Sequence, residues 1–198
     1  MAAQTLVLDL ALTVRHDGHG GVADDLADRD GLRAWVRERA ADLGVVAFTP
    51  DAETCEEVRA LRAAVRALFA HAVRPDAPSP ADARRLLPLD EAVRLVNAAA
   101  ARVPAVPRLG WPEGADPVAT VSPVGAPGPE DALVAALGRA AVAFLTGPDR
   151  ERLRACHAPR CVRYFLKEHP RQAWCKPSCG NRARVARHHE RHAAASGA

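Results

Sequence analysis

The spacing of apolar residues predicts a chain that is mostly helical. Leu32, Trp35, Val36, Ala40 and Leu43 fall on one stripe of a helix over residues 31–43. A longer stripe of apolar residues every three or four positions runs from Cys55 to Ala72. It predicts a helix that is entered at Thr49–Asp51 and ends near Val73, and it places the Cys55 thiol in the core.

Further helices are predicted on both sides of a segment rich in proline and glycine. Ser79 followed by Pro80 is a helix entry, so helix is expected over residues 81–86 and, after a break at Pro88, over 89–102. A last apolar stripe predicts a helix that begins at Pro129 and ends at Gly147.

Two segments have the pattern of strands. The leucines of residues 5–14 alternate with other residues, which predicts a strand. Residues 106–111 and 117–121, joined by the turn PEGAD, predict a short hairpin. The expected fold is therefore mainly α (α+β), a helical N-terminal domain with a small antiparallel β element.

Composition supports a folded protein that stays out of the membrane. Of 198 residues, 48% are apolar and 26% charged, which excludes disorder as the overall state. No stretch reaches the roughly 18 to 20 uninterrupted apolar residues that a bilayer requires, and the N-terminus lacks the basic leader of a signal peptide. We expect a cytoplasmic protein, nucleoid-associated if it binds DNA.

Charge divides the chain in two. Residues 1–149 carry 15 arginines against 21 acidic residues, a net −6, whereas residues 150–198 carry 12 basic residues against 3 glutamates, a net +9. Together with the glycine at 147, this asymmetry predicts a helical domain over residues 1–148 and a small basic domain over 149–198.

Four of the five cysteines lie within 24 residues of the basic segment. They form two close pairs, Cys156-x4-Cys161 and Cys175-x3-Cys179, separated by thirteen residues. In a reducing compartment this spacing predicts one structural Zn²⁺ held by all four thiolates, the alternative being two disulfides or plain buried thiols. Four thiolates leave no open position on the metal, and no catalytic constellation can be placed elsewhere, so no enzymatic activity is expected.

The residues after the last cysteine predict a basic helix over 181–192. Arg184, Arg187, His188 and Arg191 share one face, and Val185 on the neighbouring face is expected to pack on the cysteine pairs. The HHERH segment lacks the HExxH spacing that would direct two histidines at one metal. Trp174 is expected to cover the metal site, and Trp35 and Trp111 to lie in the core.

Specific motifs carry a family resemblance. Cys179-Gly180-Asn181-Arg182, with Trp174-Cys175 before it and Ala183-Arg184-Val185 after it, resembles the CGNR zinc-finger proteins. The segments DLADRDGLRAWV, LRAAVRAL and VNAAAA are similar in order and spacing to the ABATE domain that precedes the finger in that family. The resemblance implies a stress-induced type of transcription regulator whose finger binds DNA.

The expected partner is duplex DNA, contacted by six basic residues. They are Arg171, Lys176, Arg182, Arg184, Arg187 and Arg191. The alternative is a zinc-stabilised protein interaction module whose basic helix docks on an acidic surface, its own or a partner's. Asn181 and Arg182 could instead bond the metal-bound sulfurs. The sequence leaves open a homodimer and a small-molecule effector.

Overall fold

The computed structural model describes residues 2–19, 21–45, 48–83 and 86–196. Its helices are α1 Ala2–Leu12, α2 Arg29–Glu38, α3 Ala40–Leu43, α4 Ala52–Ala72, α5 Leu89–Ala101, α6 Pro129–Thr146 and α7 Pro177–Ser196. Its strands are β1 Val14–His16, β2 Val22–Asp24, β3 Ala105–Gly110, β4 Val118–Pro123, β5 Leu153–Ala155 and β6 Tyr164–Leu166. The strands form three antiparallel hairpins, β1 with β2, β3 with β4 and β5 with β6. A mainly helical fold with small antiparallel sheets is therefore confirmed.

The core is built around α4, which packs against α1, α5 and α6. Phe69 of α4 lies at its centre, with its ring centroid 5.1 Å from that of Phe144 on α6. The α5 and α6 helices cross closely at Gly138, where a Cβ atom would lie only 2.4 Å from the Ala100 nitrogen. Any larger residue at 138 would therefore push the two helices apart.

Carboxylates begin two of the core helices. The side chain of Asp28 accepts a hydrogen bond from the Gly31 nitrogen at 2.8 Å, and that of Asp51 accepts from the Thr54 nitrogen at 2.7 Å. Asp51, within the predicted entry, is thus the N-cap of α4. The helix predicted over 31–43 is found as two pieces, α2 and α3, which meet at the non-helical Arg39.

The strand predicted over residues 5–14 is wrong. The segment is the helix α1, and β1 begins only at Val14. Leu6, Val7, Leu10 and Ala11 are all buried, a helical i, i+1, i+4 pattern that places neighbouring residues on one face. Alternating leucines fit that pattern as well as they fit a strand, because nearly every position in the run is apolar.

The prediction of a short helix over residues 81–86 is also wrong for the residues that the structure describes. Residues 80–83 form a turn, and residues 84 and 85 lie outside the described part. The hydroxyl of Ser79 donates to the carbonyl oxygen of Val162 at 2.8 Å, so it is engaged across the fold and does not cap a helix. The helix predicted over 89–102 is found as α5, and the one from Pro129 as α6.

The β3–β4 hairpin, residues 105–123, is confirmed and is called the arm below. Its register pairs Ala105 with Pro123 and Gly110 with Val118. Trp111 lies at the tip of the arm and is 70% exposed, so its predicted place in the core is wrong. Trp35, in contrast, is buried as expected.

The hydrophobic core continues past residue 148, the predicted boundary between the two domains. Leu153, Ala155 and Tyr164 of the β5–β6 hairpin are buried in the same cluster as the helices. The Tyr164 ring lies edge-on to Phe69, with 5.4 Å between centroids. The basic C-terminal segment therefore begins as part of the helical core.

A buried polar network crosses the same boundary. Arg66 of α4 binds both carboxylate oxygens of Asp82, with Nε–Oδ1 and Nη2–Oδ2 distances of 2.8 and 3.0 Å. The Tyr164 hydroxyl donates to Asp82 Oδ2 at 2.7 Å, and Arg66 Nη2 donates to the Val162 carbonyl at 3.2 Å. Every charge in this network meets an opposite charge or a hydrogen-bonding group, as burial requires.

Candidate metal centre

Two structural units bring the four cysteines together. Cys156 and Cys161 lie in the loop of the β5–β6 hairpin, where the Cys156 nitrogen donates to the Arg163 carbonyl at 2.9 Å. Cys175 precedes α7, and Cys179 lies in its first turn, with its nitrogen 3.0 Å from the Lys176 carbonyl. The hairpin is fixed by the helical core, so it offers α7 a rigid surface to join.

The sulfur positions fit a tetrahedral metal ion. All four sulfur atoms lie within 4.8 Å of one another, with 3.7 Å between those of Cys161 and Cys175 and 3.5 Å between those of Cys175 and Cys179. Four thiolates at about 2.3 Å from a central zinc would be about 3.8 Å apart. The cysteines are free thiols rather than disulfides. Among the described residues this is the only group of three or more potential ligands close enough to share an ion.

The electrostatics of the cluster favour a cation at its centre. The pKa of Cys156 falls to about 2 because the thiols of Cys161 and Cys175 donate hydrogen bonds to its thiolate. The pKa of Cys161 rises to about 11 since its thiol donates to Cys156, and the pKa of Cys175 rises for the same reason. Without a cation, one thiolate is thus stabilised by protons on its neighbours, and a metal ion would replace those protons.

An apolar shell surrounds the sulfurs. Ala158 and Phe165 pack on the buried cysteines, and the partly buried Trp174 packs against the same cluster, as expected. A Cβ atom on Gly180 would lie 3.0 Å from Cδ1 of Trp174, so the absence of a side chain at 180 lets the indole ring close over the site. Cys55 is buried in the helical core, far from this shell in the fold.

Helix α7 begins earlier than predicted and turns a different face inward. It starts at Pro177 rather than at 181, so the whole Cys179–Arg182 motif is helical. Ala183, one turn after Cys179, is buried, whereas Val185 is 55% exposed. The prediction that Val185 packs on the cysteine pairs is therefore wrong, because Cys179 fixes which face of the helix meets the site.

Arg182 and Asn181 are engaged locally. Arg182 donates from Nη2 to the Cys179 sulfur at 3.1 Å, the sulfur-bonding alternative considered for it. Asn181 accepts a hydrogen bond from Arg184 through Oδ1. Hydrogen bonds to a ligating sulfur hold the ligand in place and temper its charge, so Arg182 serves the centre even though its side chain is largely exposed.

The remaining basic residues are presented to solvent. Arg171, Lys176, Arg184, Arg187 and Arg191 are all exposed. The Nε atoms of Arg187 and Arg191 bond only backbone carbonyls one turn earlier in the helix, each at 3.3 Å. In the described chain, no carboxylate forms an ion pair with any of these five side chains.

The buried network of Arg66, Ser79, Asp82 and Tyr164 was not foreseen. Arg66 lies within the apolar stripe of α4. An arginine in a helix is usually expected at the solvent-exposed edge of such a stripe. A signal was present in the sequence, since its neighbours Val65, Ala67 and Leu68 are all apolar and the position falls inside the buried arc of the helix.

None of the helices in the described part of the chain is both long and apolar enough to cross a bilayer.

No curated protein matches the chain. Two family models do. The ABATE family model, described as "Putative stress-induced transcription regulator", matches residues 4–148, and the CGNR zinc finger model matches residues 152–192. Because the first match alone covers well over half of the chain, the protein belongs to the ABATE family and carries a CGNR zinc finger.

Proposed function

We propose that this protein binds duplex DNA through α7 and acts as a transcription regulator, with one structural Zn²⁺ held by Cys156, Cys161, Cys175 and Cys179. The observation that carries the proposal is the exposure of Arg184, Arg187 and Arg191 without a carboxylate partner in the described chain. Exposed guanidinium groups that have no carboxylate partner suit phosphate oxygens.

The ion pairs of the N-terminal domain argue against the alternative in which the basic helix docks on the acidic surface of its own chain. If the basic helix docked on the acidic N-terminal domain of its own chain, its arginines would meet the carboxylates there. Several carboxylates of that domain pair instead with arginines of the same domain: Asp24 with Arg62, Asp82 with Arg66, and Glu57 with Arg102. Helix α7 instead leaves the metal centre with residues 184–192 mostly facing solvent.

The metal has a positioning role in this proposal. Cys179 and Ala183 attach only the first turns of α7 to the rest of the molecule, so the ion fixes the direction in which the helix projects. Arg182 donates to the Cys179 sulfur within the same helix and keeps its remaining donors exposed. Arg171 and Lys176 precede the helix in the chain and add two exposed positive charges.

No catalytic step is part of the proposal. A metal bound by four thiolates has no open coordination position for water or substrate. The chemistry of the site is therefore that of a scaffold, and the action of the protein is binding. A chromosomal partner would place it in the cytoplasm with the nucleoid.

Binding to random duplexes over a range of salt concentrations tests the proposal. If α7 and its flanks neutralise about four phosphates, the logarithm of the binding constant should fall with the logarithm of salt with a slope of roughly −3 to −4. Replacing Arg184, Arg187 and Arg191 together with alanine should weaken binding to every duplex by similar factors and reduce the slope by about 3.

A matched control removes three exposed arginines that precede the zinc-finger match, Arg37, Arg94 and Arg150, and so makes the same change in net charge. This variant should keep nearly all of the affinity. Zinc content and helicity are measured in both variants, so that lost binding is not confused with lost structure. Unchanged affinity and slope in the α7 variant would contradict the proposal and favour a protein partner.

A further inference from the structure

The arm projects from the helical domain and leaves large apolar side chains in water. Its two strands pack chiefly on each other. Leu109 is 74% exposed, Val121 65% and Trp111 70%. An isolated two-stranded hairpin is only marginally stable, and exposed apolar clusters of this kind mark binding surfaces.

The register gives the arm one face without a polar side chain. Opposed residues of a hairpin lie on the same face, and successive residues alternate between faces. The pairs Ala105–Pro123, Pro107–Val121 and Leu109–Ala119 therefore form a continuous apolar face. The other face carries Val106–Ser122, Arg108–Thr120 and Gly110–Val118, and is half polar.

The edges of the arm are poor places for another strand to add. Pro107 in β3 and Pro123 in β4 lack the N–H that an added strand would need. A partner is therefore expected on the apolar face and not along an edge.

The tip of the arm carries negative charge, and its base lies beside a positive charge. Glu113 and Asp116 lie in the exposed turn at the tip. At the base, Arg139 of α6 donates from Nη1 to the Val103 carbonyl at 3.2 Å, which holds the guanidinium beside the start of β3. Within the described ranges, none of these three charged groups has an ion-pair partner.

We propose that the apolar face of the arm is a dimer interface that takes a second copy of this chain. The two arms lie antiparallel across a two-fold axis, with their apolar faces packed together as two sheets pack, about 10 Å apart. Six residues per strand make each arm about 20 Å long, so the acidic tip of one reaches the Arg139 base of the other.

Self-complementarity is what selects a second copy as the occupant. A two-fold interface must match itself, and a face of apolar side chains between an acidic end and a basic end does so in the antiparallel arrangement. DNA is a poor occupant of the arm, since Glu113 and Asp116 outnumber Arg108 there. This inference does not depend on DNA binding by α7.

Sedimentation equilibrium of the full-length protein with its metal bound tests the interface. The wild-type chain should associate reversibly to a dimer. Replacing Leu109 and Val121 with serine removes the two largest exposed side chains of the apolar face and should raise the dimer dissociation constant at least about tenfold. The matched control, Val118→Ser, changes an exposed valine of the same hairpin on the other face and should shift the constant less than about twofold.

Charge reversal tests the antiparallel arrangement. Glu113→Arg with Asp116→Arg should weaken the dimer, Arg139→Glu should weaken it as well, and the three changes together should restore most of the association. A wild-type protein that stays monomeric up to about 100 μM, well above the micromolar range of even modest complexes, would overturn the proposal. So would equal effects of the serine variants on the two faces, or a triple variant that dimerises no better than the single reversals.

Discussion

The hydroxyl group of Tyr164 joins the metal-bearing hairpin to the helical domain at the scale of a single residue. It donates to Asp82 Oδ2 at 2.7 Å and accepts from the Ser79 nitrogen at 3.3 Å, in a fully buried setting. Burial, together with the negative charge of Asp82, raises the pKa of Tyr164 above its ordinary value of 10.0. The neutral phenol is therefore the form on which the folded state depends.

Tyr164→Phe should lower the free energy of unfolding by about 1 to 3 kcal/mol at neutral pH, because two buried polar groups lose a partner. Since the folded pKa is raised, the stability that the phenol contributes is complete below pH 10 and declines as the pH rises further. The difference in the free energy of unfolding between wild type and variant should consequently become smaller at alkaline pH. Urea unfolding at pH 7, 9 and 11 measures this difference.

The chain has one tyrosine, so its ultraviolet absorbance change reports this ionisation directly. In the folded protein the change should occur above pH 10 and coincide with alkaline unfolding. A titration near pH 10 in protein that remains folded would contradict the buried hydrogen bond.

Asp24 makes a second pH-sensitive contact. Burial alone would raise its pKa, but hydrogen bonds from Arg62 and the Leu26 nitrogen, with the charge of Arg62, lower it below 3.8. Asp24→Asn should cost about 3 kcal/mol at pH 7, because Arg62 is left buried without its counter-charge. As the pH falls below about 4 through the folded pKa, the wild type loses this contribution and the two proteins should converge.

The neighbouring pair Asp25–Arg15 is a control for Asp24, because both of its side chains are exposed. Asp25→Asn should cost less than about 1 kcal/mol. Urea unfolding at pH 7 measures both substitutions. If they lower the free energy of unfolding equally, burial does not make the Asp24–Arg62 pair more stabilising than the Asp25–Arg15 pair.

At the scale of the element, we expect α7 to depend on a metal ion for its attachment. Only its first turns contact the rest of the molecule, through Cys179 and Ala183, and residues 184–192 lie largely in solvent. A helix of this composition has little stability of its own, so an ion bound by the four cysteines would supply the free energy that orders it.

Cys175→Ala should therefore abolish stoichiometric zinc binding and lower the helical signal in far-ultraviolet circular dichroism by a fraction that matches α7. Cys55→Ala should leave one zinc per chain, since that thiol is buried in the helical core. Elemental analysis of purified protein measures both. Retained zinc in the first variant, or loss in the second, would contradict the ligand assignment.

Sequence patterns predicted the elements that have one apolar face and failed where nearly every residue is apolar. The stripes of α2 and α4 stand out against polar neighbours, so their periods are unambiguous. Residues 5–14 lack that contrast, and tertiary packing decides between helix and strand. Trp111 was misplaced because burial of a large aromatic residue is an average tendency, and the arm has no neighbour to bury it.

The cysteine spacing predicted which residues meet, because two close pairs and a spacer allow few other arrangements. It did not predict the phase of α7. That phase follows from the position of Cys179 inside the helix, which turns Ala183 inward and Val185 outward. The apolar neighbours of Arg66 signal its burial, but its partners Asp82 and Val162 lie 16 and 96 residues away and are set by the tertiary fold.

On the scale of the whole molecule, the two family matches share one core. Leu153, Ala155 and Tyr164 are buried among the helices, although they follow the ABATE match in sequence. The predicted division at residue 148 stays a prediction about folding units, and truncation tests it.

A chain that ends at residue 148 should be less stable than the full protein by several kcal/mol, since three buried side chains and the Val162 carbonyl that Arg66 and Ser79 bind are removed. A chain that ends at residue 168 keeps β5 and β6 and should recover most of the loss without binding zinc tightly. Urea midpoints of the two fragments and the full chain, measured with and without a chelator, make the comparison. Equal midpoints for the 148-residue fragment and the full chain would show that the helices fold independently.

The shared core also limits the positions at which recombination can exchange the zinc finger of this protein for that of a relative. A crossover near codon 148 would exchange the finger for that of a relative, yet it would also replace the residues at 153, 155 and 164 that complete the helical core, and the carbonyl at 162 that Arg66 and Ser79 bind. An exchange would succeed only between parents whose hairpins fill the same space. A viable chimera is expected from a junction after β6, where the inherited core stays intact and only the metal-dependent helix is new.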